Sequence, residues 1–442
     1  MKLTPRHLAL LFSLALAFAP ALPAASVDVS AVENLRPALP KIPDRTFNLA
    51  EYGAVGDGHT LNTAAFTKAI AAVKAAGGGR LVVPAGVFIT APFTLCSNLD
   101  LHLVAGAVIK APETFAELGL PDPASFKTQA EVNAVYKVPD PLITGSKLHD
   151  VALTGPGTID GSGAHLWAWS ERAARNAAKT QPGRVVYRRP HLVVISGCDR
   201  LLVSELTFTN SSMFHLVPKN INDLTIERVK VRAPWDGSAP NTDAIDPGPG
   251  TNFWIHHCDI DTGDDDIVIK SGGTRVLIED NTIRHGHGIS IGSETTAGVH
   301  GMLVRRCTFE DTDNGIRIKS MRGAGGLVEN VRYTDITMKN VATAITLQLD
   351  YVDNNRPDFK GDPTKVPAIH HILLDHLTIE GSRNAGLIHG LPDSPITDIT
   401  LRDITLTAEK DFDIKDATSP TFERVTRNIK PGVGPKKNPG EH

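Results

Sequence analysis

An apolar pattern that recurs along the chain is the feature that most constrains its fold. Each repeat contains a segment whose first, third, sixth and eighth residues are apolar with few exceptions, and most repeats begin 23 to 29 residues apart, with one interval of 41. The segments begin at Leu201, Leu224, Phe253, Val276, Met302, Val331, Ile372 and Ile399. Self-similarity at this period is typical of a solenoid, in which residues one period apart lie side by side on neighbouring coils.

The composition within each repeat indicates strands. Short β-branched apolar runs alternate with clusters of Gly, Asp, Asn and Ser, which predicts short strands joined by tight turns. We therefore predict an all-β chain that forms a single-stranded right-handed parallel β-helix. A leucine-rich repeat would need denser leucines, and a β-propeller would need a repeat of about 40–45 residues. Residues 62–76 are Ala-rich with helical periodicity, and they predict a short N-terminal helical cap over the open end of the solenoid.

The repeat also decides the domain organisation. A length of 442 residues alone would suggest two or three domains, but a solenoid grows by adding coils. Lys2 and Arg6 precede the apolar run Leu8–Phe18 and a group of small residues, as in a secretory signal, and the run is too short to span a membrane. We predict a signal peptide at 1–25, a linker at 26–45, the β-helix domain at 46–430 and a flexible tail at 431–442. Export would place the mature protein in the periplasm or outside the cell.

Charge and cysteine content limit the partners and the cross-links. The formal net charge of −4 gives no support for nucleic-acid binding, and we expect neither a nucleic-acid nor a membrane partner, and a monomer. Cys258 and Cys307 occupy the same inward place two coils apart, so roughly 10 Å separates them. That distance exceeds the reach of a disulfide, and both are expected to be core residues in one ladder with Asn281.

The acidic residues share the period of the repeat. Asp243, Asp265 and His287 follow one another at intervals of 22 residues, and Asp264 and Asp266 flank the middle one. Hydrolysis of a glycosidic bond needs a proton donor for the leaving oxygen and a base for water. Closely placed carboxylates raise each other's pKa values, so one of them is expected to stay protonated as the acid. Calcium binding by the acidic cluster is the alternative, which the neighbouring cations disfavour.

Two cations follow shortly after this register. Arg317 and Lys319 are two residues apart on a predicted strand, so they face the same side, and with Ile316 and Ile318 inward that side is outward. A pair of cations beside carboxylates suggests a substrate that carries carboxylates itself. Tyr351 ends the next repeat and is placed to stack on a sugar ring.

Four motifs together resemble those of polygalacturonases of glycoside hydrolase family 28. They are Asn241 to Asp243 (NTD), Gly263 to Asp265 (GDD), Gly286 to Gly288 (GHG) and Arg317 to Lys319 (RIK). The resemblance extends from the Gly-rich opening to about residue 410. It implies a metal-free and cofactor-free hydrolase that cleaves α-1,4-galacturonan, in pectin or oligogalacturonides, with inversion.

The resemblance also implies roles for individual residues. Asp264 would be the general acid and His287 would tune it, while Asp243 and Asp265 would position and deprotonate water. The implied substrate-binding residues are Asn241, Arg317, Lys319 and Tyr351. One departure from the family pattern is Asp266, where many fungal members carry Cys, and it is expected to add a charge.

Other functions remain open at the level of the sequence. A hydrolase of rhamnogalacturonan or xylogalacturonan would share the fold, but the intact Asn241 and the cation pair favour unbranched galacturonan. A pectate lyase would need calcium and would release an unsaturated product. A non-catalytic β-helix that binds polysaccharide would have no reason to align carboxylates with a histidine. Whether the enzyme cuts within chains or from their ends depends on loops at the ends of the groove.

Overall fold

The computed structural model describes residues 27–181, 183–352 and 361–436. The predicted signal peptide at 1–25 and the end of the predicted tail, 437–442, lie outside the described residues. The described chain winds into a parallel β-helix, because its 29 strands belong to one sheet and every pairing between named strands is parallel. The predicted fold class is confirmed.

The helices are short and lie before or between the first coils. They are α1 (Thr63–Ala75), α2 (Gln129–Val135), α3 (Ala164–Trp167) and α4 (Glu171–Ala177), with 3-10 turns at Leu49–Tyr52 and Pro123–Ser125.

The first nine strands build the N-terminal coils. They are β1 (Thr46–Asn48), β2 (Asp57–Leu61), β3 (Gly79–Val83), β4 (Gly86–Ile89), β5 (Phe93–Thr94), β6 (Leu99–Leu103), β7 (Ala107–Lys110), β8 (Ile143–Thr154) and β9 (Thr158–Asp160).

The next thirteen strands form the central coils. They are β10 (Val193–Ser204), β11 (Thr207–Thr209), β12 (Leu216–Glu227), β13 (Lys230–Arg232), β14 (Gly250–His256), β15 (Asp259–Thr262), β16 (Ile267–Ile269), β17 (Gly273–Glu279), β18 (Thr282–His285), β19 (Ile289–Ile291), β20 (Val299–Arg305), β21 (Thr308–Glu310) and β22 (Asn314–Lys319).

The last seven strands complete the solenoid. They are β23 (Leu327–Lys339), β24 (Thr343–Gln348), β25 (Ala368–Ile369), β26 (Ile372–His389), β27 (Ile399–Lys410), β28 (Asp413–Lys415) and β29 (Thr421–Ile429).

The register of these strands follows the apolar repeat of the sequence. The eight predicted repeat starts are joined by seven successive pairings, from Leu201 with Leu224 through to Ile372 with Ile399. Most of these residues are completely buried, and they belong to one continuous core. The pattern of the sequence therefore predicts both the coils and their alignment.

The ladder of Cys258, Asn281 and Cys307 is part of this core, and neither cysteine forms a disulfide. The side chain of Asn281 accepts a hydrogen bond from the backbone N–H of Cys258 at 2.8 Å and donates one to the carbonyl of Ile255 at 3.1 Å. A buried amide is stable only when it is paired in this way. The prediction that these residues form an inward ladder is confirmed.

The turns on the outside of the coils form a second set of stacked residues, which we call the outer ladder. Its members have a left-handed backbone, with φ near 50–70°, although none is glycine; they are Glu205, Arg228, His257, Asp280, Arg306, Asp335, His376, Asp403 and Arg424. Charged neighbours in the ladder pair from coil to coil, for example Arg306 Nε with Asp280 Oδ1 at 2.7 Å. These contacts help to hold each turn in a conformation that L-residues rarely adopt.

The N-terminal end of the solenoid is covered by α1, as predicted. Phe66 and Val73 of this helix are completely buried, and the Phe66 ring stacks on Phe93 with centroids 4.6 Å apart. Within the described residues, no helix combines the length and apolarity needed to cross a membrane.

Residues preceding the cap lie along the outside of the coils. Val29 and Val32 pack against Leu277 and Leu303, and the guanidinium of Arg36 lies 4.1 Å from the centroid of the Trp254 ring. The segment predicted as a linker is thus in contact with the solenoid. The division of the chain into four segments stays a prediction.

Candidate active site

One face of the β-helix carries the aligned motif residues. Its strands β16, β19, β22 and β24 pair in register through Ile267, Ile289, Ile316 and Ile345, and Ile245 bridges to Ile267. These isoleucines are completely buried in the core, so their packing fixes the positions of the residues just before them on neighbouring coils. Asp243, Asp265 and His287 each lie two residues before an aligned isoleucine, on successive coils.

Asp264 is surrounded by donors and cations. Its Oδ1 lies 3.2 Å from Nδ1 of His287, and its Oδ2 lies 3.7 Å from a guanidinium nitrogen of Arg172. The backbone N–H of Asn241 also donates to Oδ2 at 3.2 Å. Burial favours the neutral acid, but His287, Arg172 and Lys319 outweigh it and hold the pKa of Asp264 well below its usual range. The expectation that the acid stays protonated is therefore wrong for the unliganded protein.

Asp265 is held by both cations of the fourth motif. Arg317 contacts its Oδ1 at 3.1 Å and Lys319 its Oδ2 at 2.9 Å, and the hydroxyl of Ser290 donates to Oδ1 at 3.0 Å. Although burial opposes ionisation, Lys319 and Arg317 keep the pKa of Asp265 below its usual range. Lys319 is only 6% exposed. The two cations are thus part of the site and not a solvated surface pair.

Asp243 shares one lysine with a second carboxyl group. Lys270 Nζ lies 2.9 Å from Asp243 Oδ2 and 3.3 Å from Asp246 Oδ2. Burial raises the pKa of Asp243 well above its usual range and that of Asp246 to about 7, while the two acids keep the pKa of Lys270 high despite its burial. One ammonium can neutralise only one of two buried carboxylates. The pair is therefore expected to retain a proton near neutral pH.

Asp266 does not line the cleft that the eight predicted site residues share. It is completely buried, and it accepts hydrogen bonds from the Gly288 N–H at 2.8 Å and from the Thr262 hydroxyl at 3.2 Å. Burial raises its pKa well above the usual range, so the neutral form is favoured. The expectation that Asp266 adds a charge is wrong, because the group lies where a charge is poorly solvated.

His287 links two acids of the site. Its Nδ1 faces Asp264, and its Nε2 lies 3.5 Å from Oδ2 of Asp313. Burial alone would lower the pKa of this imidazole, but the attraction of Asp264 and the hydrogen bonds that His287 donates to Asp264 and Asp313 raise it to about 9. His287 is thus a cation at neutral pH in the unliganded protein.

The remaining predicted residues lie beside this group. Asn241 accepts a hydrogen bond from Arg189 through Oδ1 at 2.8 Å. The ring centroid of Tyr351 is 5.8 Å from Arg317 Cζ and 5.5 Å from Lys319 Nζ, which is within the range of cation–π attraction. The structure therefore brings all eight predicted site residues to one place.

Five further residues of the site were not predicted. They are Arg172, Arg189, Asp246, Lys270 and Asp313. Asp246 comes three residues after Asp243, and Lys270 comes five residues after Asp265. Both therefore lie in the same aligned segments as the predicted acids, and their positions in the sequence could have indicated them. Arg172 lies on α4, within an insertion that has no counterpart in the repeat, and its contact with Asp264 has no signal in the pattern.

The same acids could in principle hold a metal ion. Asp264, Asp265 and His287 each offer one donor atom, and these atoms lie within 4.8 Å of one another. Arg172, Arg317 and Lys319 already neutralise the two carboxylates at these positions. A divalent cation would have to displace them, so the donor set does not fit a resident metal.

The site opens into a large cleft. The cleft has a volume of about 1970 Å³ and is lined by all eight predicted site residues and by Arg172, Arg175, Arg188 and Arg189. Pockets for one drug-sized molecule usually measure about 300–1,000 Å³. The volume suits several units of a polymer, and these arginines, with Arg317 and Lys319, offer cations that can bind its anionic groups.

Comparisons with a family profile and with known proteins agree on one family. The profile described as "Glycosyl hydrolases family 28" matches residues 102–423. The chain is 30% identical over 357 residues to an endo-polygalacturonase of Pectobacterium carotovorum subsp. carotovorum, covering 78% of this chain and 83% of the relative. It is also 30% identical over 374 residues to a polygalacturonase of Prunus persica, covering 82% and 86%.

A solved structure agrees with these relatives. The exopolygalacturonase of Thermotoga maritima superposes with a TM-score of 0.73 at 27% identity, covering 90% of this chain and 95% of that chain. The similarity therefore includes enzymes described as endo-acting and as exo-acting.

Proposed function

The chain belongs to glycosyl hydrolases family 28 and hydrolyses galacturonan, and we propose that it uses Asp264 as acid and inverts the anomeric carbon. The observation that carries this proposal is the placement of Asp264, which lies 3.2 Å from His287, next to an Asp265 already held by Arg317 and Lys319. Asp264 is thus placed to exchange a proton with the substrate once the bound substrate offsets the charges around it, while Asp265 stays ionised.

Hydrolysis of the glycosidic bond requires one proton transfer to the leaving oxygen and another from the attacking water. Asp264 donates its proton to the glycosidic oxygen as the bond from that oxygen to the anomeric carbon breaks. A water molecule attacks the same carbon from the opposite side and loses its proton to Asp265, or to Asp243 when the proton retained by the Asp243–Asp246 pair lies on Asp246. Attack from the side opposite the leaving group inverts the configuration, so an α-linked substrate gives a β-product.

Binding of the substrate is what raises the pKa of Asp264 so that it can act as the acid. In the unliganded protein the charges of Arg172 and Lys319 help to lower the pKa of Asp264. Galacturonate carboxylates bound by these cations offset their charge and add negative charge near Asp264. Both effects raise the pKa of Asp264, so that it takes up the proton it later donates.

Arg172 supports this role for the cations of the cleft. Its side chain is buried, and its Nη1 has no hydrogen-bond partner among the described residues. A buried donor without a partner costs free energy, so a ligand atom is its natural complement. We assign it a second galacturonate carboxylate, in addition to the one that Arg317 and Lys319 bind.

Methyl esterification of the substrate tests the proposed function. Polygalacturonate and methyl-esterified pectin are compared for the parent, Arg172→Ala, Arg317→Ala and the control Asp280→Asn, whose side chain lies on the outer ladder. We expect the parent to prefer the charged polymer. Each arginine variant should lose about 10- to 100-fold in kcat/KM on it, because a charged hydrogen bond contributes about 1.5–3 kcal/mol. Equal rates on both polymers, or arginine variants as active as the parent, would overturn the assignment.

We also propose that the chain is exported and acts as a monomer, without nucleic acid or membrane as a partner. Export is supported by Lys2 and Arg6 followed by the apolar run Leu8–Phe18, which lie outside the described residues. N-terminal sequencing of protein recovered outside the cytoplasm should show that about 25 residues have been removed. A cytoplasmic protein that keeps Met1 would contradict the proposal.

A further inference from the structure

A group of histidines and acids lies on the outside of the solenoid, away from the residues that line the cleft. His300 on β20 pairs in register with Glu329 on β23. Val328 pairs with Ile369, so His370 lies beside Glu329 on the next coil, and His371 follows it. None of these four residues lines the cleft. The parallel register thus brings three histidines and one glutamate of three successive coils together.

Three donor atoms of this group converge. The Nδ1 atoms of His370 and His371 are 2.8 Å apart, and Oε2 of Glu329 lies 3.8 Å from Nδ1 of His370. One donor atom from each of these residues lies within 4.8 Å of the other two. Two nitrogens bound tetrahedrally at about 2.0–2.1 Å from a zinc ion lie roughly 3.3–3.4 Å apart, so the two imidazoles must separate by about half an ångström to share one ion. The donors therefore need only small rotations to share one ion.

A second set of contacts orients the donors. His300 Nδ1 lies 3.1 Å from the other carboxylate oxygen of Glu329, and Asp398 lies 3.8 Å from Nε2 of His371. Metal-binding histidines usually donate their second ring N–H to a carboxylate, and ligating carboxylates are themselves hydrogen-bonded. The contact between His300 and Glu329 follows this arrangement, whereas Asp398 faces the second ring nitrogen of His371 at an ion-pair distance that is too long for a direct hydrogen bond.

From this geometry we propose that Glu329, His370 and His371 bind a divalent transition-metal ion of the Zn²⁺ class. Two imidazoles and one carboxylate suit such ions better than Ca²⁺ or Mg²⁺, which prefer oxygen ligands. The three ligands are partly exposed, so an ion can enter from solvent. The bound ion ties neighbouring coils together and stabilises the folded chain, because it binds the folded state only.

A second histidine pair in the chain provides a matched control. His256 and His257 also have Nδ1 atoms 2.8 Å apart. The nearby Glu227 approaches His256 at Nε2, at 3.5 Å, on the other side of the ring, and His256 stacks on Trp254. Its donors therefore do not converge as those of Glu329, His370 and His371 do.

The test measures zinc binding by the untagged full chain after removal of metals with a chelator. Titration calorimetry with Zn²⁺ is done on the parent, Glu329→Gln, His371→Asn and His257→Asn. Asparagine tolerates the left-handed backbone that His371 and His257 share, with φ of 54° at each. Circular dichroism confirms that each variant is folded before titration.

We expect one Zn²⁺ per chain in the parent and in His257→Asn, with a zinc-dependent rise in Tm. Glu329→Gln and His371→Asn should weaken binding by at least about tenfold and abolish the rise in Tm, since loss of even an outer contact typically costs 10- to 100-fold. No stoichiometric binding by the parent would overturn the proposal. So would unchanged affinity in both ligand variants, or an equal loss in His257→Asn. None of these readouts depends on hydrolysis of galacturonan.

Discussion

The cleft face and the outer ladder are built by the same stacking of coils, yet their charges behave differently. On the cleft face, the side chains of Asp265 and Lys319 are 2% and 8% exposed, and Asp265 contacts two cations at once. On the outer ladder, the paired side chains of Arg306 and Asp280 are 45% and 28% exposed. The repeat therefore brings opposite charges together in both places. The extent of burial then determines how strongly these charges affect each other's pKa values and the stability of the fold.

Burial changes proton affinity much more strongly on the cleft face. There burial raises the pKa of Asp246 to about 7, and it leaves His287 so dependent on its neighbours that Asp264 and Asp313 raise its pKa to about 9 although burial alone would lower it. On the outer ladder, the contact with Arg306 lowers the pKa of Asp280, in the ordinary direction for a paired acid. Exposed pairs of that kind contribute little to stability. This difference predicts how matched substitutions in the two regions will behave.

The largest effect is expected for Asp264→Asn. Removal of the acid should lower kcat by about 10²- to 10⁴-fold, the usual contribution of general acid catalysis. Initial rates on polygalacturonate measure this effect, and calorimetric binding of the substrate shows whether the cleft is intact. A variant that retains parental kcat would show that Asp264 is not the acid.

Lys270→Met should cause the largest loss of stability. It leaves Asp243 and Asp246 buried without their shared cation, and breaking a buried pair in this way typically costs about 3–5 kcal/mol. Urea unfolding measures the change, and Lys230→Met on β13, which is exposed, serves as the control. A loss below about 1 kcal/mol would mean that solvent already screens Lys270.

The effect of pH on His287 comes next. Because the folded-state pKa of His287 is raised to about 9 from an ordinary value near 6.5, its charge stabilises the fold fully below pH 6.5. This contribution is lost as the pH rises from about 6.5 to 9, and it amounts to about 3 kcal/mol at most. Urea unfolding at pH 6 and pH 9.5 should show a smaller pH-dependent loss for His287→Gln than for the parent. Parallel losses in both proteins would contradict the raised pKa.

Asp280→Asn, the same chemical change as in the acid variant, should have the smallest effect. It removes one partner of Arg306, which keeps its contact with Glu279 at 2.8 Å, and asparagine accepts the backbone φ of 57°. The free energy of unfolding should change by less than about 1 kcal/mol, and kcat should stay at the parental value. A large loss of activity would mean that the two regions are coupled.

The sequence predicts the coils and the cleft for one physical reason. Apolar residues at equal spacing must stack, so the pairing of Leu201 with Leu224 and the alignment of Asp265 with His287 follow from counting residues. The contacts of Arg172 and Arg189 do not follow, because both come from an insertion outside the repeat.

The protonation states of Asp264 and Asp266 could also not be predicted from the sequence. Mutual repulsion of the acids was expected to raise the pKa of Asp264, but the distances to His287 and Arg172 decide otherwise. Likewise, Asp266 could be read as an added charge only as long as its burial was unknown. Such balances depend on which cation reaches which oxygen, and spacing along a chain does not specify that.

The configuration of the first-formed product tests the central claim most directly. If Asp264 protonates the leaving oxygen while water attacks from the opposite side, proton NMR during the first turnovers on polygalacturonate will show the β-anomer before mutarotation mixes the forms. An α-anomer would indicate a covalent intermediate on one of the acids, and an unsaturated product would indicate elimination. Either result would contradict the roles assigned to Asp243, Asp264 and Asp265.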